Sequence, residues 1–310
     1  MFNPAFESAR CTACGAEYPI DRAMNLCPRD QRPVQMVLNT DRLDRRTRSW
    51  YQPGLPSMWR FGGMLPLDAA APEQKARIVS LGEGHTPELD YSGHPLAGKG
   101  RFRLWVKDEG KAHAGFGANP TQSFKDRGMA MTVSMARALG IEKVAVPTQG
   151  NAGDSLAVYA RAAGLAAVIA MPDDTPLPIK GGVAALAHHS EQTQLVTVEG
   201  TIREANELLE RDWIPEGWFS VATFREPGWR IEGKKTLGLE LAEPKSPGAP
   251  WSLPDVVIYP TGGGTGVLGM WKGFAELEAL GMISGERPRV VCVQAEPTPP
   301  LVHAFEAGLE

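Results

Sequence analysis

The sequence contains no apolar run approaching the roughly 18 residues that a membrane-crossing helix needs. Its first ten residues hold no continuous apolar stretch, so no secretory leader is expected. There is no low-complexity tract and no internal repeat, which sets aside disordered, fibrous and solenoid architectures. Neither sign of charge dominates: 32 Lys and Arg face 36 Asp and Glu, a net charge of −4. That balance leaves no footprint for nucleic acid. Arg42, Arg45, Arg46 and Arg48 form a local basic segment, read as solvated. Cysteine is scarce, with four among 310 residues, too few for a disulfide scaffold. A reduced, cytoplasmic protein is the expectation.

What is present is enough apolar residue for a sizeable core. The chain is 43% hydrophobic and 22% charged, which suits one or two domains. Short β-rich runs alternate with helical ones through the middle. Strands are expected at 143–146, 165–170 and 194–198, and helices at 152–163, 178–189 and 202–211. Farther on, helices are expected from Trp229 to Ala242, at 267–280 and at 299–308, with strands at 255–259 (buried) and 289–295. Alternation at this length implies an α/β fold of open, twisted, mostly parallel sheets with helices on both faces. Ligands in such sheets bind where strands end and helices begin.

Three strand-to-helix or loop-to-helix turns carry the candidate chemistry. In Asn119-Pro120-Thr121-Gln122-Ser123-Phe124-Lys125-Asp126-Arg127-Gly128, a turn leads into a helix, which Thr121 or Ser123 can cap. Lys125 then stands at the positive end of the helix dipole, where it does nothing for helix stability. An amine kept near other cations or partly desolvated loses its proton more easily and becomes a nucleophile toward carbonyls. The turn Pro147-Thr148-Gln149-Gly150-Asn151-Ala152-Gly153 places small polar groups at another helix start, a setting suited to anions. The third is Gly262-Gly263-Gly264-Thr265-Gly266, after a strand and before a helix, which presents main-chain N–H groups to a phosphate. Gly264, Gly266 and Gly269 also fit a dinucleotide fingerprint, with Glu296 as the distant acidic residue, a weaker reading of the same loop. Lys234 and Lys235 near a helix start are read as a solvated face. Cys292, in a strand-like run, is read as a buried small hydrophobe.

Near the N-terminus, Cys11-Thr-Ala-Cys14-Gly15 is a metal-knuckle pattern, and Cys27-Pro-Arg-Asp30 repeats its spacing with a carboxylate in the fourth place. Zinc accepts such a ligand, so Cys11, Cys14, Cys27 and Asp30 are the candidate metal set of a zinc-ribbon-like segment.

These stretches resemble the motifs of fold-type II pyridoxal-phosphate enzymes, and most of all those of the threonine synthase branch. There a similar Pro-Thr-Gly-Ser-Phe-Lys-Asp-Arg-Gly run occurs, with glycine where this chain has Gln122. Leu81-Gly82-Glu83-Gly84-His85-Thr86-Pro87 is similar to the family's Gly-Glu-Gly-Asn-Thr-Pro turn. Residues 111–118 lengthen the usual link to Asn119, and a mobile loop is expected there. The resemblance implies that Lys125 holds pyridoxal phosphate covalently. It implies that Asn151 contacts the ring oxygen, that Thr148 and Gln149 line the substrate carboxylate pocket, and that 262–266 hold the cofactor phosphate. Ala152 departs from the family, which has threonine or histidine there. The reaction implied converts O-phosphohomoserine and water to threonine and phosphate. Another fold-type II reaction, a serine or threonine dehydratase or a β-replacement synthase, stays open, as does a non-catalytic relative. The implied domains are a zinc-ribbon-like segment at 1–46, a large cofactor domain at 47–128 and 224–310, and a small α/β domain at 129–223. The family's usual C-terminal elements are expected to be missing. The expected partner is a small amino-acid substrate, with no nucleic acid and no membrane. Dimers are common among such enzymes, so a homodimer is expected.

Overall fold

The computed structural model describes residues 2–98, 100–223, 225 and 227–309. Residues 1, 224 and 310, which bound the expected domains, lie outside the described residues. The chain opens with a three-stranded antiparallel sheet of β1 (Phe6–Cys11), β2 (Glu17–Tyr18) and β3 (Val34–Leu38), in the order β2-β1-β3. A 3-10 helix at Met58–Met64 and the one-turn α1 (Pro72–Lys75) follow. β4 (Glu88–Asp90) and β5 (Trp105–Lys107) pair as an antiparallel hairpin.

Then the alternation takes over. It runs α2 (Lys125–Ala138), β6 (Lys143–Pro147), α3 (Asn151–Ala163), β7 (Ala166–Pro172), α4 (Leu177–His188), β8 (Thr193–Val198) and α5 (Ile202–Asp212). Each lies within a few residues of its expected place. β9 (Phe219–Ser220) ends this series, and the sheet order is β8-β7-β6-β9, with β6, β7 and β8 parallel. The period of two along β7 sorts its side chains to opposite faces. Val168 and Ala170 pack with Ala205 and Leu209 of α5. Ile169 and Met171 lie against Gly153 of α3, where any Cβ would be within 3 Å of them. Helices therefore cover both faces. A capping box, Thr201 with Glu204, starts α5.

The chain closes with α6 (Gly228–Ala242), β10 (Val256–Pro260), α7 (Thr265–Ala279), β11 (Arg289–Val293) and α8 (Pro300–Glu306). β10 and β11 pair in parallel. The expectation of a buried strand at 255–259 is corrected: Val256 and Ile258 are exposed, as are Val291 and Val293 of β11. Only two strands pair here, and one of their faces is open among the described residues.

By contacts the chain forms two compact units. One comprises Met1–Tyr51, Phe61–Ala76 and Ser220–Glu310, the other Gln52–Arg60 and Arg77–Phe219. In the first, Trp50, Tyr51, Phe61 and Trp251 form an aromatic core, with Tyr51 and Phe61 stacked at 5.5 Å. In the second, α2, α3 and the parallel sheet carry the core, and Met129–Ala136 of α2 is buried throughout. Residues 77–128, assigned by sequence to the larger domain, pack within this second unit. The basic segment at 42–48 is exposed, as expected, with Arg42 paired to Glu7 at 3.1 Å.

Candidate active site

Lys125 is the first residue of α2, and its half-buried side chain sets the ammonium 4.1 Å from the Phe124 ring centroid. The loop before it is closed by its successor. Asp126, fully buried, accepts bonds from the Thr121 N–H and hydroxyl at 2.8 and 2.7 Å. Burial nonetheless pushes the Asp126 carboxyl above the usual carboxylate range. Neither expected cap is realised: Phe124 caps α2 without a side-chain bond, and the Ser123 Oγ accepts the Lys125 N–H at 3.3 Å from one residue before the cap. Gln122 has φ +55°, in the left-handed region that glycine adopts without strain.

Behind the lysine loop lies a framework of buried charge. The Arg127 guanidinium donates twice to the Glu109 carboxylate, at 2.8 and 2.7 Å, and once to the Thr86 hydroxyl at 3.1 Å. Asn119 Nδ2 donates to the Glu109 carboxylate and to its carbonyl, both at 2.9 Å, while Asn119 Oδ1 accepts the Gly84 N–H at 3.2 Å. The Gly-Glu-Gly turn, the Lys107–Gly110 link and the lysine loop are thereby tied together. Glu83 is wholly buried and accepts from Trp59 Nε1 at 2.6 Å, the Tyr159 hydroxyl at 2.7 Å and the Leu81 N–H at 2.8 Å. Burial raises its carboxyl pKa against those donors. The insert at 111–118 is fastened rather than loose. His113 pairs with Asp108 at 2.8 Å, the Gly117 and Ala118 N–H groups reach the His85 and Gly82 carbonyls, and Phe116 lies on the His85 ring. Glu83 and Arg127 fall within the sequence motifs, which implied no role for either, and Glu109 falls outside them. The available signal was charge set among apolar and glycine positions, where a solvated face has no room.

The second turn starts α3, which packs on α2. Thr148 is buried and its hydroxyl accepts the Gly150 N–H at 3.1 Å. Gly150 caps α3 without a side-chain bond, and Asn151 is exposed at the helix start. Gln149 turns to Asp174, donating at 2.9 Å. Burial raises the Asp154 carboxyl, and the charge of Asp126 adds to the effect. The starts of α2 and α3 thus share one electrostatic environment, and Lys125, Thr148, Gln149 and Asn151 belong to the same unit.

The glycine-rich loop belongs to the other unit. Thr261 Oγ1 accepts the Gly264 N–H at 3.0 Å, Gly264 caps α7 at φ +77°, and Gln294 holds the Gly262 carbonyl at 2.7 Å. Lys234 Nζ lies 2.6 Å from the hydroxyl of Thr265. The solvated face expected for Lys234 and Lys235 is corrected: they are 1% and 0% exposed. α6 is buried almost all round, so its lysines point into the α6–α7 contact. There Lys235 pairs with Glu232 and Glu276, and so does Lys272. Gly269 of the fingerprint pattern serves this contact as well. A Cβ there would lie 2.9 Å from Lys234 Cβ and 3.0 Å from the Lys235 nitrogen.

Cys11, Cys14, Cys27 and Asp30 converge, with one ligand atom of each within 4.8 Å of all the others. Cys292 is apart from them in β11 and is partly exposed rather than buried.

Comparison with known proteins adds to this geometry. Residues 79–310 match the family described as pyridoxal-phosphate dependent enzyme. The threonine synthase of Methanocaldococcus jannaschii is 30% identical, covering 96% of this chain and 67% of its own length. That of Methanosarcina acetivorans is 29% identical with the same coverage. Among solved structures, a threonine deaminase from T.th. aligns with a TM-score of 0.55 at 26% identity, over 73% of this chain and 64% of that one. The serine racemase of Dictyostelium discoideum aligns at 0.54 with 20% identity, a likeness of fold, over 73% and 65%. The chain thus spans about two thirds of the length of these proteins.

Proposed function

The chain belongs to the family of pyridoxal-phosphate-dependent enzymes, and on that premise we propose that it is a threonine synthase-like lyase, converting O-phosphohomoserine and water to threonine and phosphate. Pyridoxal phosphate, when bound, supplies an electron sink for the carbon that carries the substrate amine. The residues fit that group. Lys125 offers a primary amine at a helix start. The loop at 262–266 offers main-chain N–H groups, the start of α7 and the nearby Lys234 ammonium for a phosphate.

In this reading Lys125 would hold the cofactor, and its amine would move protons between the substrate's α-carbon and its neighbours. Asn151 orients the cofactor ring. Thr148, Gln149 and the uncapped N–H groups of α3 receive the substrate carboxylate. The proposed division by role, 47–128 with 224–310 for the cofactor and 129–223 as the small domain, differs from the division by contacts, in which 77–128 pack with the second unit. The second expected cofactor, zinc at Cys11, Cys14, Cys27 and Asp30, carries no step. The same proposal places a homodimer in the cytoplasm, acting on a small amino acid and not on nucleic acid. No helix among the described residues is long and apolar enough to cross a membrane.

The observation that carries the reading is Lys125 opening α2 within the Glu109–Arg127 framework. What supports the substrate is the likeness to proteins named threonine synthase. A dehydratase is the second reading, supported by the likeness to threonine deaminase and by Ala152. The test is borohydride reduction of the protein mixed with pyridoxal phosphate, followed by peptide mapping. Label on Lys125 is expected, and Lys125→Ala should lose both the label and at least about a thousandfold in turnover. Label on another lysine, or none, sinks the assignment. Phosphate release from O-phosphohomoserine, against 2-oxo acid release from threonine or serine, separates the two reactions.

A further inference from the structure

The N-terminal sheet holds side chains that the proposed reaction leaves unused. Cys11 ends β1, Cys14 lies in the turn after it, and Cys27 and Asp30 lie in the loop that leads to β3. Cys14 Sγ is 3.7 Å from Cys27 Sγ, and Cys11 Sγ is 3.4 and 3.5 Å from the two Asp30 oxygens. A tetrahedral zinc ion has bonds of about 2.3 Å to sulfur and about 2.1 Å to oxygen, which sets neighbouring ligand atoms roughly 3.4–3.8 Å apart. The observed separations are of that size. A disulfide would need sulfurs about 2.05 Å apart, and it would give a carboxylate no part.

The surroundings also suit a metal. The Ala13 and Cys14 N–H groups both point at Cys11 Sγ, at 3.4 Å each, and so favour its thiolate. Outer bonds orient two more ligands: the Tyr18 hydroxyl is 3.1 Å from Cys27 Sγ, and the Arg32 N–H donates to Asp30 Oδ1 at 3.0 Å. Two of the four buried residues in the local core, Cys11 and Cys27, are themselves candidate ligands; the others are Met24 and Val34. A segment with so little apolar interior gains much of its order from a bound ion.

We infer that Cys11, Cys14, Cys27 and Asp30 hold one structural zinc ion, and that the ion braces the chain between β9 and α6. Binding releases the three thiol protons to solvent. The brace has two ends. Asn25, in the loop between the two knuckles, donates from Nδ2 to the Ser220 carbonyl and to the Arg225 carbonyl, the latter at 2.8 Å. Gly228, the first residue of α6, sits so close to β3 that a Cβ there would be 2.8 Å from the Val34 carbonyl oxygen. The metal therefore fixes both ends of the passage into α6, the helix that carries Lys234 to the glycine-rich loop. The site and the brace stand apart from the cofactor reading and are tested without turnover.

The experiment takes the whole protein, expressed with zinc in the medium. Elemental analysis should find close to one zinc per chain, and Cys14→Ser, at an exposed position, should retain less than a tenth of it. Cobalt added to the metal-free protein should give the visible bands of a tetrahedral thiolate site. Hydrogen exchange of peptides covering 220–235 should quicken several-fold when zinc is removed and slow again when it is restored. A protein that binds neither metal at this cluster overturns the site. Stoichiometric zinc with unchanged exchange at 220–235 overturns the brace. Borohydride labelling of Lys125 in the same samples reports the cofactor reading separately.

Discussion

Lys234 Nζ lies 2.6 Å from the hydroxyl oxygen of Thr265, the first residue of the helix that follows the glycine-rich loop. A buried ammonium beside a helix start raises the affinity of that start for an anion. Lys234→Met should weaken pyridoxal phosphate binding by about 10- to 100-fold, the value of one charge-assisted bond of roughly 1.5–3 kcal/mol. The cofactor titration that measures this should be paired with a melting curve. Equal affinities at equal stability would remove Lys234 from the phosphate site.

Gln122 is exposed and has a left-handed backbone, so its side chain adds strain and little packing. Gln122→Gly should raise stability by about 0.5–1 kcal/mol, the cost of the left-handed region less the entropy that glycine brings to the unfolded chain. Urea denaturation of the two proteins at one pH is the measurement.

Glu83 sets a pH trend. Burial raises its carboxyl pKa in the folded state, so the folded protein holds more protons than the unfolded chain between the ordinary carboxylate value and the raised one. Stability tied to this group is complete below the ordinary value and falls as pH rises toward the raised one. Asp126 and Asp154 shift the same way. Glu83→Gln should flatten the decline seen in denaturation curves taken across that window. An unchanged slope would assign the trend to the other two.

Arg127 and Glu109 make a buried, doubly bonded pair. Arg127→Met should cost about 3–5 kcal/mol, because it leaves a carboxylate unmatched. Adding Glu109→Gln should recover part of that loss, and a double-mutant cycle reads the coupling. Strict additivity would mean that the pair does not act as a unit.

Much of this architecture was legible. The switch between periods of two and 3.6 along 143–212 announced each strand and helix, because every element there has a definite apolar face. Lys125 and the loop at 262–266 were visible as chemistry set at helix starts. The buried charges were not. Lys235, Glu232, Lys272 and Glu276 sit three or four residues apart on their helices, the spacing of ordinary surface pairs. Only the contact between α6 and α7 shows that they face each other. The open strands of β10 and β11 misled for the opposite reason: an apolar run says what a strand prefers, not what covers it. The left-handed backbone at Gln122 left no trace in composition, and its one signal was the glycine that the resembling family has at that position.

The close approach at Gly269 bears on how this molecule can change over time. With no side chain between them, α6 and α7 mesh like cut gears, and neither can slide past the other. The ammonium of Lys234 is thus delivered to one fixed spot relative to Thr265. A larger residue at Gly269 would prise the helices apart and carry the lysine away with them.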